Sequence, residues 1–216
     1  MDYLARYEAM KETVNRVAWD GEWYARATMD DGRFLGVKRE PMAKIWLNAQ
    51  TWAVLSGMAP AQRAHQAMDS VRRYLNTPLG IKKIDPAMVD YPTPEDPLTY
   101  YNKGCGENGS VFCHANAWAV IAECLLGRGE RAWEYYSQLL PMNAQAKAGE
   151  WRYKAEPYVY SSNIFGPESD KFGLANVSWL TGTAAWMYVA FTQYLLGVKP
   201  VWGGLSIEPC LPPTRK

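Results

Sequence analysis

Apolar residues recur at spacings of three and four in six separate stretches, the period of one helical face, and no other feature constrains the fold as strongly. Tyr3, Tyr7, Met10, Val14 and Val17 mark a first helix with a buried face, ending near Ala18. Ile45 to Ser56, closed by Gly57, gives a second. Ala64, Ala67, Met68, Val71 and Leu75 mark a third, stopped before Pro78 because the residue preceding a proline avoids helical geometry. A fourth follows His114, with Ala117, Val120, Ile121, Cys124 and Leu125 inward and Gly127 as its stop. Arg131 to Leu140 is a fifth, ended by Pro141, with Ala132, Tyr136 and Leu139 inward. Ala184 to Leu196 is a sixth, with Ala185, Tyr188, Val189, Thr192 and Leu196 inward.

The connections alternate between short and long. WDGEWYARATMDDGRFLG carries four acids and three glycines and reads as a long loop with room for a short hairpin at Asp30-Asp31-Gly32. Thr77 to Lys103 holds five prolines and little periodicity. Connections in ordinary helical bundles run to about 2–8 residues, so these lengths favour antiparallel hairpins stacked around an axis, three of which make half of a six-hairpin toroid. GLSIEP alternates like a strand, with Leu205 and Ile207 on one side, and is expected to pair beyond Lys216.

With 216 residues, 48% of them hydrophobic, the chain can bury one substantial core. Its net charge is +1 with the two signs interspersed, which lacks the basic stripe that nucleic acid requires. No apolar run approaches the roughly 18 residues that span a bilayer. MDYLARYEAMKETVNRVAWD has acids in its first turns and no apolar core of a secretory signal, so a cytoplasmic location is expected. Cys105, Cys113, Cys124 and Cys210 form no C-x-x-C pair and read as reduced thiols. Together with His114 their spacings match no zinc pattern, so no metal is expected. Ten Trp and fourteen Tyr suit stacking on sugars, but rings also fill helical cores, and that use takes most of them.

Two stretches could carry chemistry. In GCGENGSVFCHANAW, His114 opens a helix whose unpaired N–H groups and dipole favour an anion; capping its own helix is an equally good use of it. Glu107 and Asn108 precede it, placed to meet sugar hydroxyls, although Asn108-Gly109 is also a strong turn dipeptide. In SWLTGTAAW, Thr181, Gly182 and Thr183 precede a helix as in phosphate sites, and either threonine also serves as an ordinary N-cap. The acids Asp20, Glu22, Asp30 and Asp31 invite a general acid or base reading, and none stands out over solvation.

ENGSVFCHANAW, EPYVYSS, SWLTGTAAW and GLSIEPCLPP, in this order, resemble the carboxyl-terminal part of the glycoside hydrolase family 94 phosphorylases, which include cellobiose, cellodextrin and chitobiose phosphorylases. WDGEWYARATMDDG and LNAQTWAVLSG extend the likeness from about Asn15 to Pro213. The resemblance implies an all-α chain over residues 1–200, the second half of an (α/α)6 catalytic barrel, and over 201–216 the start of a C-terminal β-domain. It implies a hexosyl-transferring reaction in which inorganic phosphate, the co-substrate, attacks the anomeric carbon of a β-linked disaccharide or oligosaccharide with inversion, giving an α-sugar 1-phosphate; no cofactor is implied. By motif, His114, Thr181 and Gly182 fall on phosphate-binding positions, and Tyr101 and Glu107 on sugar-binding ones.

Gly106 stands where many members carry Lys or Arg, and Ser162 where many carry Gln, so sugar recognition is expected to differ. The family's proton donor is an Asp in a W-N-D motif upstream of WDGEWY, and no W-N-D occurs in these residues. No catalytic residue is therefore assigned, and alone the chain is expected to be nearly inactive. Half a toroid exposes an apolar seam, so the missing half or a second copy is the expected partner. A carbohydrate- or phosphate-binding remnant and a water-using inverting hydrolase are the alternative readings.

Overall fold

A computed structural model describes residues 2–89 and 101–213. Residues 90–100, in the middle of the expected proline-rich loop, lie outside them, as does Lys216. The described elements run α1 (Tyr3–Val17), β1 (Ala27–Thr28), β2 (Phe34–Leu35), β3 (Ile45–Trp46), α2 (Leu47–Leu55), α3 (Ala61–Tyr74), β4 (Asn76–Thr77), β5 (Gly80–Ile81) and β6 (Ile84–Asp85). They continue with β7 (Val111–Phe112), α4 (Cys113–Leu125), α5 (Gly129–Leu139), α6 (Pro141–Ala148), α7 (Glu150–Tyr153), β8 (Ser161–Ile164), β9 (Ala175–Ser178) and α8 (Thr183–Val189). A π-helical turn, Ala190–Leu195, prolongs α8 and leads into β10 (Val198–Val201) and β11 (Gly204–Ile207).

Helix α4 is the centre. Ala115, Ala117, Ala119 and Ala122 are all fully buried, as are Val120 and Asn116, so the helix is covered on every side. Alanine has the best helix propensity and the smallest side chain that can pack, which makes α4 thin enough for α2, α5, α8 and the π-turn to close around it. Leu47, Met68, Val71, Leu75, Ile81, Ile121, Tyr135 and Leu195 fill the space between these elements. Each such large side chain contributes about 1.5–3 kcal/mol by leaving water.

The expectation of an all-α half of an (α/α)6 barrel is overturned. Eleven short strands form five small antiparallel sheets among the described residues, and the helices gather on α4 instead of forming three successive hairpins about an axis. The physical reason is that parts of the long connections among the described residues are buried. Lys82, Lys83, Ile84 and Val111 are buried, and a buried backbone must have its N–H and C=O groups paired. They pair in ladders: β3 with β6, β4 with β5, and β7, β8 and β9 in one three-stranded sheet. Strands of two to four residues are too short to show alternation in a sequence.

Several boundaries and faces shift as well. Ile45 begins in β3 and not in a helix. Helix α1 buries none of its residues; its expected inner face leaves Tyr3, Met10 and Val17 exposed, with Tyr7 Oη donating to the Ser56 carbonyl at 3.1 Å. In α5 it is Tyr135, not Tyr136, that is fully buried. Pro141 ends α5 but opens α6, where its missing N–H costs nothing. Thr183, Met187, Ala190 and Leu195 form the buried face of the last helix, while Ala185, Tyr188 and Leu196 are exposed. The π-turn causes part of this: Leu196 N–H bonds the Phe191 carbonyl at 2.8 Å, which inserts one residue into the helical period. Finally, β11 pairs with β10 inside the chain, Val198 opposite Ile207, and the Cys210 N–H returns to the Leu195 carbonyl at 2.9 Å.

The hairpin expected near Asp30-Asp31-Gly32 is β1–β2, with Ala27 opposite Leu35. All four cysteines are free thiols. No helix among the described residues is long and apolar enough to cross a membrane.

One buried side chain ties α4 to the strands. Asn116 Oδ1 accepts from the Ile81 N–H at 2.7 Å, and its Nδ2 donates to the carbonyls of Ile81 at 2.9 Å and Phe112 at 3.0 Å. It thereby acts as a strand partner for β5. Asn116→Ala strands these groups without water, and each unsatisfied buried group costs about 1–3 kcal/mol, so a loss of about 3 kcal/mol is expected in urea unfolding at unchanged m. A loss within error of zero contradicts this role.

Candidate functional site

The segment from Tyr101 to His114 is built from its glycines outward. Gly104 N–H bonds the Asn108 carbonyl at 2.7 Å and Asn108 N–H bonds the Cys105 carbonyl at 2.9 Å, closing a tight loop. Asn108 is fully buried: its Oδ1 accepts from Met88 N–H at 2.6 Å, and its Nδ2 donates to the carbonyls of Met88 and Tyr101, each at 2.9 Å. All its polar atoms are committed to backbone, so Asn108 holds the loop and does not meet a sugar. Ser110 Oγ donates to the Gly106 carbonyl.

Gly106 has φ +54°, and a Cβ there would lie 2.5 to 2.9 Å from the Tyr101 ring. The ring therefore occupies the space a side chain at Gly106 would need. Tyr101 keeps 45% of its surface exposed, and the Glu107 side chain 40%. Glu107 Oε2 is 3.1 Å from Lys83 Nζ, whose side chain is 6% exposed and whose ammonium stands 4.6 Å from the Phe112 ring centroid.

Lys83 escaped the sequence reading. Its backbone is clamped between strands, its N–H on the Ser110 carbonyl at 2.8 Å and its carbonyl accepting from Leu47 at 2.9 Å. Burial draws its ammonium below the usual lysine range, the Glu107 carboxylate pushes it back up, and the Arg26 charge adds to the downward pull. The sequence signal is two lysines flanked by isoleucines in GIKKIDP; both are buried, Lys82 pairing with Asp85 and Lys83 with Glu107.

His114 lies in the first turn of α4, immediately after β7, and no side chain caps that helix. Its imidazole rests on Gly182: a Cβ at Gly182 would sit 2.8 Å from Cε1 and 3.1 Å from Nδ1. Gly182 is thus required for lack of room, its φ of −76° being open to any residue. Trp118 and Trp186 flank the ring, with centroids 5.0 and 6.1 Å away, and Trp52 extends the cluster at 5.3 Å from Trp118. His114 Nε2 is shut off from solvent and has no hydrogen-bond partner among the described residues. Burial first, and the Lys83 charge second, hold the imidazole below its ordinary value of 6.5.

Thr181 and Thr183 adjoin Gly182. Thr183 N–H bonds Thr181 Oγ1 at 3.1 Å and the two hydroxyls are 2.6 Å apart. Thr183 is fully buried, so donation from Thr183 to Thr181 leaves the Thr181 proton for an outside acceptor. Just upstream, Val177 and Trp179 take φ of 53° and 71°. A β-branched residue in that region is strained by roughly 1–2 kcal/mol, strain of the kind stored at functional sites.

The structure thus joins His114, Gly182 and Thr181 at one corner and Tyr101, Gly106 and Glu107 at another. Lys83 is common to both: it pairs with Glu107, and its charge acts on His114. Ser162 is half-buried in β8. A cleft of about 680 Å³ lies elsewhere, beside Asp69, Arg72, Arg128 and Arg131. Its arginines are already paired, Arg128 and Arg131 with Asp69 and Arg72 with Glu134, so it offers no free charge to an anion. No group of His, Cys, Asp and Glu among the described residues suits a metal ion.

A profile of the family described as "Glycosyl hydrolase 94 superfamily, catalytic domain" matches residues 1–197. The chain is 38% identical over 203 residues to a solabiose phosphorylase of Paenibacillus borealis, covering 94% of this chain and 26% of that protein. It is 40% identical over 215 residues to an N,N'-diacetylchitobiose phosphorylase of Vibrio furnissii, covering 97% and 26%. It is 33% identical over 210 residues to a cyclic beta-(1,2)-glucan synthase of Rhizobium meliloti, covering 95% of this chain and 7% of that protein. The chain spans about a quarter of the length of the two phosphorylases. A match over nearly every described element, including both corners of the site, means that this chain belongs to the glycosyl hydrolase 94 superfamily as part of its catalytic domain.

Proposed function

We propose that this chain supplies the phosphate and sugar contacts of an inverting glycoside phosphorylase acting on a β-linked disaccharide or oligosaccharide. The observation that carries the reading is the seating of the His114 imidazole on Gly182 beside Thr181, with Glu107 exposed across the Lys83 pair.

In this reading inorganic phosphate lies against His114 and Thr181. A neutral imidazole, favoured by its depressed pKa, donates one N–H to a phosphate oxygen, and the Thr181 hydroxyl donates a second bond. Gly182 has no side chain to hold the anion away. Glu107, acceptor-only when ionised, takes hydrogen bonds from sugar hydroxyls and fixes the ring so that the phosphate oxygen approaches the anomeric carbon from the face opposite the leaving group. Tyr101 offers a ring face to the same sugar. The phosphate oxygen forms the new bond to the anomeric carbon as the glycosidic bond breaks, and the departing oxygen takes a proton from an acid outside these residues. A partner that brings this acid, either the rest of the catalytic domain or a second copy, would cover exposed side chains such as Trp179, Leu180 and Tyr188.

The reading is tested by combining the chain with the remainder of a family catalytic domain and following phosphate consumption with a β-glucoside. Phosphate-dependent release of a sugar 1-phosphate is expected; phosphate-independent sugar release indicates hydrolysis, and inactivity of a properly assembled complex indicates a binding role. In that assembly His114→Ala should raise the phosphate KM about 10- to 100-fold, the worth of a hydrogen bond to a charged group, with the sugar KM unchanged. Gly182→Ala should act in the same direction by pushing the imidazole aside. An unchanged phosphate KM in both variants removes the assignment.

The depressed pKa of His114 also has a consequence for stability. Below pH 6.5 the unfolded chain takes up a proton that the folded imidazole resists, so the fold loses stability as pH falls through that region and His114→Asn should flatten the loss. A pH profile unaltered by the substitution contradicts the shift.

A further inference from the structure

The Lys83 ammonium is expensive to bury and touches neither ligand in the reading above, on which this inference rests. Replacing a buried ion pair by an apolar side chain of similar size is often neutral or stabilising, so packing alone does not explain a lysine here. Its environment is specific. The side chain is 6% exposed, it crosses the Phe112 face at 4.6 Å, and its backbone is fixed at both ends by Ser110 and Leu47. Its carboxylate partner is the exposed member of the pair, with 40% of the Glu107 side chain open. A rigid buried cation holding a half-exposed carboxylate is the arrangement that aims an acceptor at a ligand. No cation can stand next to Glu107 at Gly106, because the Tyr101 ring fills that space.

We propose that Lys83 is a positioning residue that links the two corners: its ammonium holds Glu107 as an oriented acceptor for sugar hydroxyls and adds positive potential where the phosphate meets His114. The ammonium stands over the ring of Phe112, two residues before His114, and its charge acts on that imidazole, so one charge serves both corners. Arg26, which stands 5.6 Å from the Trp46 ring, also acts on Lys83.

Two measurements test this with Lys83→Met, or with Lys83→Gln should the first variant not fold. In the chain itself, proton NMR of its two histidines follows the His114 titration; removing the neighbouring charge should move its midpoint upward. An unmoved midpoint overturns the electrostatic link, whether or not the protein is a phosphorylase. In the active assembly the variant should raise the KM for sugar and for phosphate at least about tenfold each, with kcat changed less. Loss of stability with both KM values unchanged assigns Lys83 to the fold and overturns the proposal. If the wild-type assembly shows no phosphate-dependent turnover, the phosphorylase reading fails, and the NMR measurement decides the role of Lys83.

Discussion

Helix α4 can be surrounded only because its side chains are small, and everything that places the site follows from that. Four fully buried alanines let α2, α5 and α8 approach the same axis. The start of α4 then fixes His114, the approach of α8 fixes Gly182 against it, and Asn116 in the second turn fixes β5, from which Lys83 follows two residues later. A larger residue at Ala117 or Ala119 would separate these elements before it disturbed any one of them, because protein interiors are close-packed.

Within that frame the two corners are held by different physics. The corner at His114 is a steric arrangement, an imidazole close against a glycine with two tryptophans nearby, and it is sensitive to a single added methyl. The corner at Glu107 is electrostatic, a carboxylate held by a buried ammonium. Such a pair contributes little to stability once desolvation is counted, yet it sets a direction for Glu107 that solvent alone would not.

The helices were legible because three-and-four periodicity survives over ten or more residues: α1, α3, α4 and α5 lie within a few residues of their expected places. The architecture was not. Ile45-Trp46, Ile84-Asp85 and Val111-Phe112 are strands of two residues, and nothing in so short a run separates a ladder from a loop. Toroidal hairpins follow from the lengths of the loops between the helices, and parts of those loops among the described residues are buried and paired. The last helix misled for another reason, since its π-turn breaks the period from which a face is read. Of the site, motif singles out His114, Thr181, Gly182, Tyr101 and Glu107, and the structure sets His114 on Gly182 beside Thr181, and Tyr101 against Gly106 next to Glu107. Asn108 looked like a sugar ligand and is committed to backbone. Lys83 is invisible in the sequence because a lysine in a connection normally points to water, and only the fold buries this one together with Lys82.

The central claim is that His114, Gly182 and Thr181 form a corner that holds inorganic phosphate. It is tested most directly by titrating the chain with phosphate, against sodium chloride at matched ionic strength, while following the His114 ring by proton NMR. A bound anion favours the imidazolium, so the His114 midpoint should rise with phosphate and saturate, and Gly182→Ala should abolish the rise. A midpoint that responds equally to phosphate and chloride, or not at all, contradicts the account.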